Sequence, residues 1–216
     1  MIRVPIKAPN LPKTLSNGSI SMLRNETQIE QLSFDDQKLE GLIISSLVLD
    51  QVSINSCSLE QCQLAKLQLS DSVFKHCTVI SANWSDSGIV RTRFEQSRLS
   101  GFDLNGAAIQ DVSFIGCKLD LANFRLSKLT RCEFVDCDLS EIDFYAAELK
   151  QVSMTNCNLT KAQFSCCKAA AVDLRGSDIS GLNGLLSLKG ATISSTQAML
   201  LGPKALRELG IMIEID

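Results

Sequence analysis

Histidine is almost missing from this chain of 216 residues: His76 is the only one. That leaves little for histidine-based designs. Proline is also scarce, with four residues, which leaves little for a turn-rich design. No apolar run approaches the ~18 to 20 residues that a membrane-spanning helix needs. The net charge is only −3, too mild for a strong pull toward nucleic acid or an anionic membrane surface. No glycine-rich phosphate loop and no zinc-type Cys/His spacing occurs. Neither a catalytic constellation nor a cofactor or metal set is therefore predicted, and an enzyme is not expected.

Cysteine is abundant, at nine residues. The start, "MIRVPIKAPNLPKTL", is basic but holds three prolines and no apolar core, so it does not read as a secretion signal. Together these features predict reduced thiols and a cytoplasmic location. Cysteines cluster in "CEFVDCDLSEIDF" (132–144), two of them among five carboxylates, and the spacing decides what that cluster is.

Every fifth residue from Ile29 to Ile179 is apolar, with no insertion. Two positions before each runs a second column of small or apolar residues, including Val52, Cys57, Cys62, Ala82, Ala107, Val112, Cys117, Ala122, Cys132, Cys137, Val152, Cys157, Ala162, Cys167 and Val172. None of the Asp, Glu, Lys or Arg residues between 27 and 181 falls in either column. A period of five matches neither the 3.6 of a helix nor the 2.0 of a strand. It predicts a coil that turns a corner every five residues and points two side chains inward along each side.

The segment "CKLDLANFRLSKLTRCEFVDCDLSEIDF" resembles the pentapeptide repeat proteins, whose loose consensus is Ala-(Asp/Asn)-Leu-X-X; "LANFR" and "SEIDF" show it most plainly. The resemblance covers about residues 27–181. Its Asp/Asn position is kept at Asn83, Asp103, Asn123, Asp138, Asp143 and Asp173. The resemblance implies an all-β solenoid, a right-handed quadrilateral parallel β-helix with four pentapeptides per coil. It also implies a bacterial setting and a C-terminal homodimer.

With 20 residues per coil, positions 20 apart stack. Phe34, Ile54, Phe74, Phe94, Phe114, Phe134, Met154 and Leu174 should then form one ladder. Gln37, Cys57, Cys77, Ser97, Cys117, Cys137, Cys157 and Ser177 should form another, while Glu133, Asp136, Asp138, Glu141 and Asp143 point outward. The cluster at 132–144 is therefore structural. Thiols act as small buried hydrophobes, and a single-file ladder does not converge on a metal. Cys166 alone lies outside both columns and is predicted to be exposed.

Three segments follow: residues 1–26, an N-terminal arm covering the first coil; 27–183, about eight coils of β-helix, ~37 Å tall at ~4.8 Å per coil; and 184–216, a short helical cap. Ser194, Ser195 or Thr196 can cap a helix starting near Gln197, Gly202-Pro203 should kink or divide it, and Gly210 suits its stop. The segment is also a candidate dimerisation element through Met199, Leu201, Leu206 and Leu209.

His76, in an outward column beside Lys75, reads as a solvated side chain, and Trp84 as core. Two functions remain. One is a non-enzymatic protein–protein interaction scaffold. The other follows from resemblance to the quinolone-resistance pentapeptide proteins, which imitate duplex DNA and bind DNA gyrase; the "LGIMIE" tail is similar to theirs. Its candidate face is Asp35, Asp36, Glu133 and Asp136. Duplex DNA carries about one charge per ~1.7 Å of axis. The most acidic side here sets Asp35, Asp36, Glu95, Glu133, Asp136 and Asp173 against Lys75, Arg93 and Arg175. That balance favours the scaffold, with an unknown protein partner.

Overall fold

The computed structural model describes residues 5–212. It is a parallel β-solenoid of about eight turns followed by one C-terminal helix. Between Gln28 and Asn183 the paired residues are 20 apart and parallel: Ile29 with Leu49 and then Leu69 on the first side, Phe34 with Ile54 and then Phe74 on the second. On the third and fourth sides the ladder narrows to single bridges such as Lys38–Ser58 and Ile43–Gln63. Four sides of five residues thus close one coil. From Ala108 onward the strands of the first two sides merge across their corner, as in Ala108–Ile115, Lys128–Val135 and Glu148–Thr155.

The corner has one repeated backbone state. Every fifth residue from Glu26 to Gly181 has positive φ. A β-branched side chain is a true outlier there, and none of these positions is Val, Ile or Thr. The Asp/Asn positions have an equally local role on the third and fourth sides. Asn83, Asp103, Asn123, Asp143 and Asp138 each accept the backbone N–H two residues on, at 2.7–3.1 Å. Their short side chains hold the turn that the next corner requires.

Inside, both columns are buried apart from the half-buried Thr27, Leu32, Gln37, Leu42 and Ala169, and rings stack along the axis. Phe74, Phe94, Phe114 and Phe134 lie face to face with centroids 4.8–4.9 Å apart, which is the coil spacing. The second column also takes large residues: Leu47, Leu67, Phe102, Ile142 and Leu182 are buried there. Trp84 is fully buried and meets Phe102 edge-on at 4.9 Å. Eight cysteines are buried and Cys166 is exposed, and all nine are free. Buried thiols also have polar work to do. Cys57, Cys77, Cys117, Cys137 and Cys157 each donate Sγ–H to the carbonyl 23 residues back, at 3.2–3.5 Å.

Both ends of this thiol column are closed by glutamine. Gln37 donates to the Gly18 carbonyl and accepts the Ile20 N–H, each at 2.8 Å. Gln197 donates to the carbonyls of Leu174 and Ser177, at 2.7 and 2.8 Å. A solenoid end is an unpaired edge, and the two carboxamides satisfy it where the next coil would have done so.

The period stops at Gly184, which has φ 80°; a Cβ there would lie 2.4 Å from the Ser165 nitrogen. Helix α1 (Ser195–Glu208) then begins with Ser194 and Gln197 in a reciprocal capping box. Its end is a Schellman closure: Gly210, at φ 78°, donates to Arg207, and Ile211 donates to Leu206. Of the expected kink or division at Gly202-Pro203, the division does not occur: α1 runs through Pro203. Proline removes one N–H and crowds the preceding turn, but Gly202 adds no side chain to that turn and has open space around it.

The expected placement of the N-terminal arm needs a correction. Ser16 and Asn17 pair with Leu32 and Ser33, and Ile20 and Leu23 pack on the core, so this part does cover the first coil. Upstream residues run instead along the outside of the shaft, with Lys7 at the level of Asp111, four coils beyond Gln31.

Candidate interaction surfaces

The shaft axis is filled by side chains, so candidate sites are its four sides, its corners and its two ends. On the second side, Asp35, Asp36 and Asp136 are exposed and Glu133 is half-buried. The first two lie in the first coil, and Glu133 and Asp136 five coils away, so the fold does not bring the four together. Asp35 accepts from Asn55 at 2.7 Å. The remaining acidic groups of that side are matched by arginines, Glu95 with Arg93 and Asp173 with Arg175. His76 is exposed on the same side.

A second charged feature was missed in the sequence. The corner between the first and second sides stacks Gln31, Gln51, Asp71, Arg91, Asp111 and Arg131. Arg91 clasps Asp71 through both carboxylate oxygens, and Arg131 clasps Asp111 with two bonds of 2.7 Å. Asp71 and Asp111 are buried, and the guanidinium bonds hold both carboxyls below the ordinary range for aspartate. The N-terminal arm lies over them. Asn10 donates its N–H to Asp71 at 3.0 Å, Lys7 donates to Asp111 at 3.4 Å, and Gln51 donates to the Asn10 carbonyl at 2.9 Å. The signal was present in the sequence as Asp, Arg, Asp, Arg at 20-residue steps.

At the C-terminal end, Met199, Leu206 and Leu209 are exposed along with Leu200, Ile211 and Met212. Leu201 differs: it packs against the core, so it belongs to the cap. Beneath α1 lies an apolar cavity of about 260 Å³ lined by residues that include Leu174, Leu182, Leu188, Leu201 and Ala205.

Burial shields eight of the nine thiols. Burial pushes Cys77 and Cys167 up to about 11 and Cys132 up to about 12. Among the described residues no group of three or more Cys, His, Asp or Glu could hold a metal, and no helix is long and apolar enough to cross a membrane.

A five-residue register with two inward side chains per side is what this chain shares with the pentapeptide-repeat proteins. Residues 107–183 match the family model described as pentapeptide repeat region, and the structure carries the same register back to Ile29. No curated protein matches. Among solved structures the chain is similar to HetL, a pentapeptide repeat protein involved in heterocyst differentiation regulation from the cyanobacterium Nostoc sp. strain PCC 7120. Identity is 20%, over 81% of this chain and 92% of HetL, with a TM-score of 0.45. It is also similar to trypsin-treated QnrB1, a plasmid-mediated fluoroquinolone resistance protein (22% identity, 88% and 91% covered, TM-score 0.47). Rfr23, from the cyanobacterium Cyanothece 51142, matches at 15% identity over 77% and 88%, with a TM-score of 0.20.

Proposed function

We propose that this chain is a non-catalytic protein–protein interaction scaffold. One observation carries the reading: the interior is packed from Ile29 to Leu182, so the side chains outside the two inward columns sit on a fixed grid with one row per coil. Such a surface changes little on binding and needs no ordering of its own, so recognition loses little to conformational entropy. A homodimer through Met199, Leu206 and Leu209 belongs to the same proposal. Those side chains project from a helix whose other face, with Leu201 and Gln197, closes the shaft.

A DNA-imitating protein directed at gyrase is the reading it competes with. Imitation of a duplex needs dense, continuous negative charge. Here the acidic residues of the second side fall into separated groups, and Arg93 and Arg175 each offset a neighbour. The deciding experiment is a supercoiling assay with purified gyrase, with and without a fluoroquinolone, across protein concentrations. The scaffold reading expects no effect. Protection or inhibition that disappears on charge reversal at Asp35, Asp36, Glu133 and Asp136 would replace it with the gyrase reading.

A further inference from the structure

We infer that the corner built from Asp71, Arg91, Asp111 and Arg131 is a docking edge for an extended peptide segment of a partner protein, and that the chain's own N-terminal arm occupies it as a displaceable stand-in. This deepens the scaffold reading and rests on it for its biological use.

The first reason is the nature of the contacts. Asp71 and Asp111 take the backbone N–H groups of Asn10 and Lys7, and Gln51 gives to the Asn10 carbonyl. Main-chain contacts of this kind can be made by any extended segment, as when a peptide is added along an exposed edge. The second reason is register. Asp71 and Asp111 are two coils apart, about 10 Å at the ring-stack spacing of 4.9 Å. Lys7 and Asn10 are three residues apart, also about 10 Å of extended chain. The edge therefore reads donors at positions n and n+3 of an extended peptide with three residues per turn, as in polyproline II, because N–H groups in a flat strand alternate and would face opposite ways. Ile6 and Leu11, flanking those donors, are half-buried, so the fitting partner has apolar residues at n−1 and n+4.

The third reason is that the acceptors are preorganised while the occupant is lightly held. Each carboxylate is fixed by two guanidinium bonds that do not involve the arm. The arm, by contrast, has prolines at 5, 9 and 12, which have no N–H to give. Its ladder pairing to the shaft begins only at Ser16. A tethered segment holds its site through high local concentration, so removing its few donors should open the edge to a competitor.

The test is a fluorescence-anisotropy titration of a labelled peptide copying residues 5–15 against the full chain and against the full-length Lys7→Pro/Asn10→Pro variant. That variant loses both arm donors and keeps every group of the edge. The peptide should bind the variant saturably and about tenfold or more tightly than the unaltered chain, since hydrogen bonds to charged groups are involved. A peptide with proline at both donor positions should lose about as much, and this control leaves the protein untouched. Adding Asp71→Asn and Asp111→Asn to the variant should also weaken binding. Absence of binding to either protein, or binding indifferent to the peptide's two donors, would overturn the docking edge. The scaffold reading would survive that result, because the gyrase and assembly measurements do not depend on it.

Discussion

Asp111 and Arg131 stand 20 residues apart in sequence and one coil apart in space, joined by two hydrogen bonds of 2.7 Å under the N-terminal arm. Asp71 and Arg91 repeat the pair two coils nearer the start. Both aspartates have carboxyl pKa values below the ordinary range because an arginine donates to each. A depressed carboxyl contributes stability above its unfolded pKa of ~3.9 and loses it as pH falls through the folded value. Thermal melts should therefore be flat in this contribution from neutral pH down to about 4 and fall below that. In the Asp71→Asn/Asp111→Asn chain this acid step should shrink, and stability at neutral pH should drop by roughly 1.5–3 kcal/mol per bond set lost. An unchanged acid profile would show that the pairs do not titrate with folding.

Phe114 sits mid-shaft between Phe94 and Phe134, fully buried. Phe114→Ala should cost about 3–5 kcal/mol in urea unfolding, as large core truncations do. Phe114→Asp, which adds an unpaired buried carboxylate, should prevent folding of the coil. Wild-type stability in either variant would mean that the register is wrong.

A thiol reagent under native conditions should label Cys166 and leave the other eight, then label all nine in denaturant. The buried thiols are shielded, and burial also raises Cys77 and Cys132 in pKa, so these two present little thiolate at neutral pH. Fast native modification of Cys132 or Cys77, read by peptide mass, would contradict the interior.

Helix α1 separates assembly from capping. Met199→Glu/Leu209→Glu changes exposed residues and should reduce the solution mass from dimer to monomer while leaving the melting temperature within a few degrees. Leu201→Glu should do the reverse, lowering stability by ~2–4 kcal/mol through an uncompensated charge against the core. Light scattering beside a melt distinguishes them, and a monomeric parent chain would leave α1 as a cap alone.

Closure of the shaft end depends on Gln197. Gln197→Leu keeps much of the volume but removes the carboxamide donor from both the Leu174 and Ser177 carbonyls, leaving Leu174 only the Ser177 N–H at 3.3 Å. Stability should fall by about 1–3 kcal/mol, with faster amide exchange confined to the last coil. Equal protection there would show that water replaces the carboxamide at no cost.

The coil itself was legible because burial acts on every fifth residue with one rule. A charge at Phe114 or Cys137 has no solvent to reach, so the sequence avoids it throughout. The capping box at Ser194 and the stop at Gly210 were readable for a similar reason: each is satisfied by neighbours within three or four residues. What escaped depends on distance along the chain. Nothing near Lys7 says that its N–H lies against Asp111, 104 residues on. The Asp–Arg corner appears only when outward residues are stacked at 20-residue steps, as the inward ones were. Gln37 was legible as a member of the thiol column but not as its cap, and Gln197, beyond the period, looks like an ordinary surface glutamine until the helix is in place. Pro203 does not divide α1, which a local rule against proline had left open beside a kink.

The constant 20-residue step makes length an adjustable property of this molecule. Excising residues 137–156 would join Asp136 to Cys157, leave every remaining side chain on its own side, and bring the two caps about 4.8 Å closer. Removing five residues instead would rotate everything downstream by a quarter of a circuit, exchanging which outer side each later residue faces. Whole-circuit changes thus reset the distance between the ends without altering what each side displays, and partial ones redirect the display without changing the core.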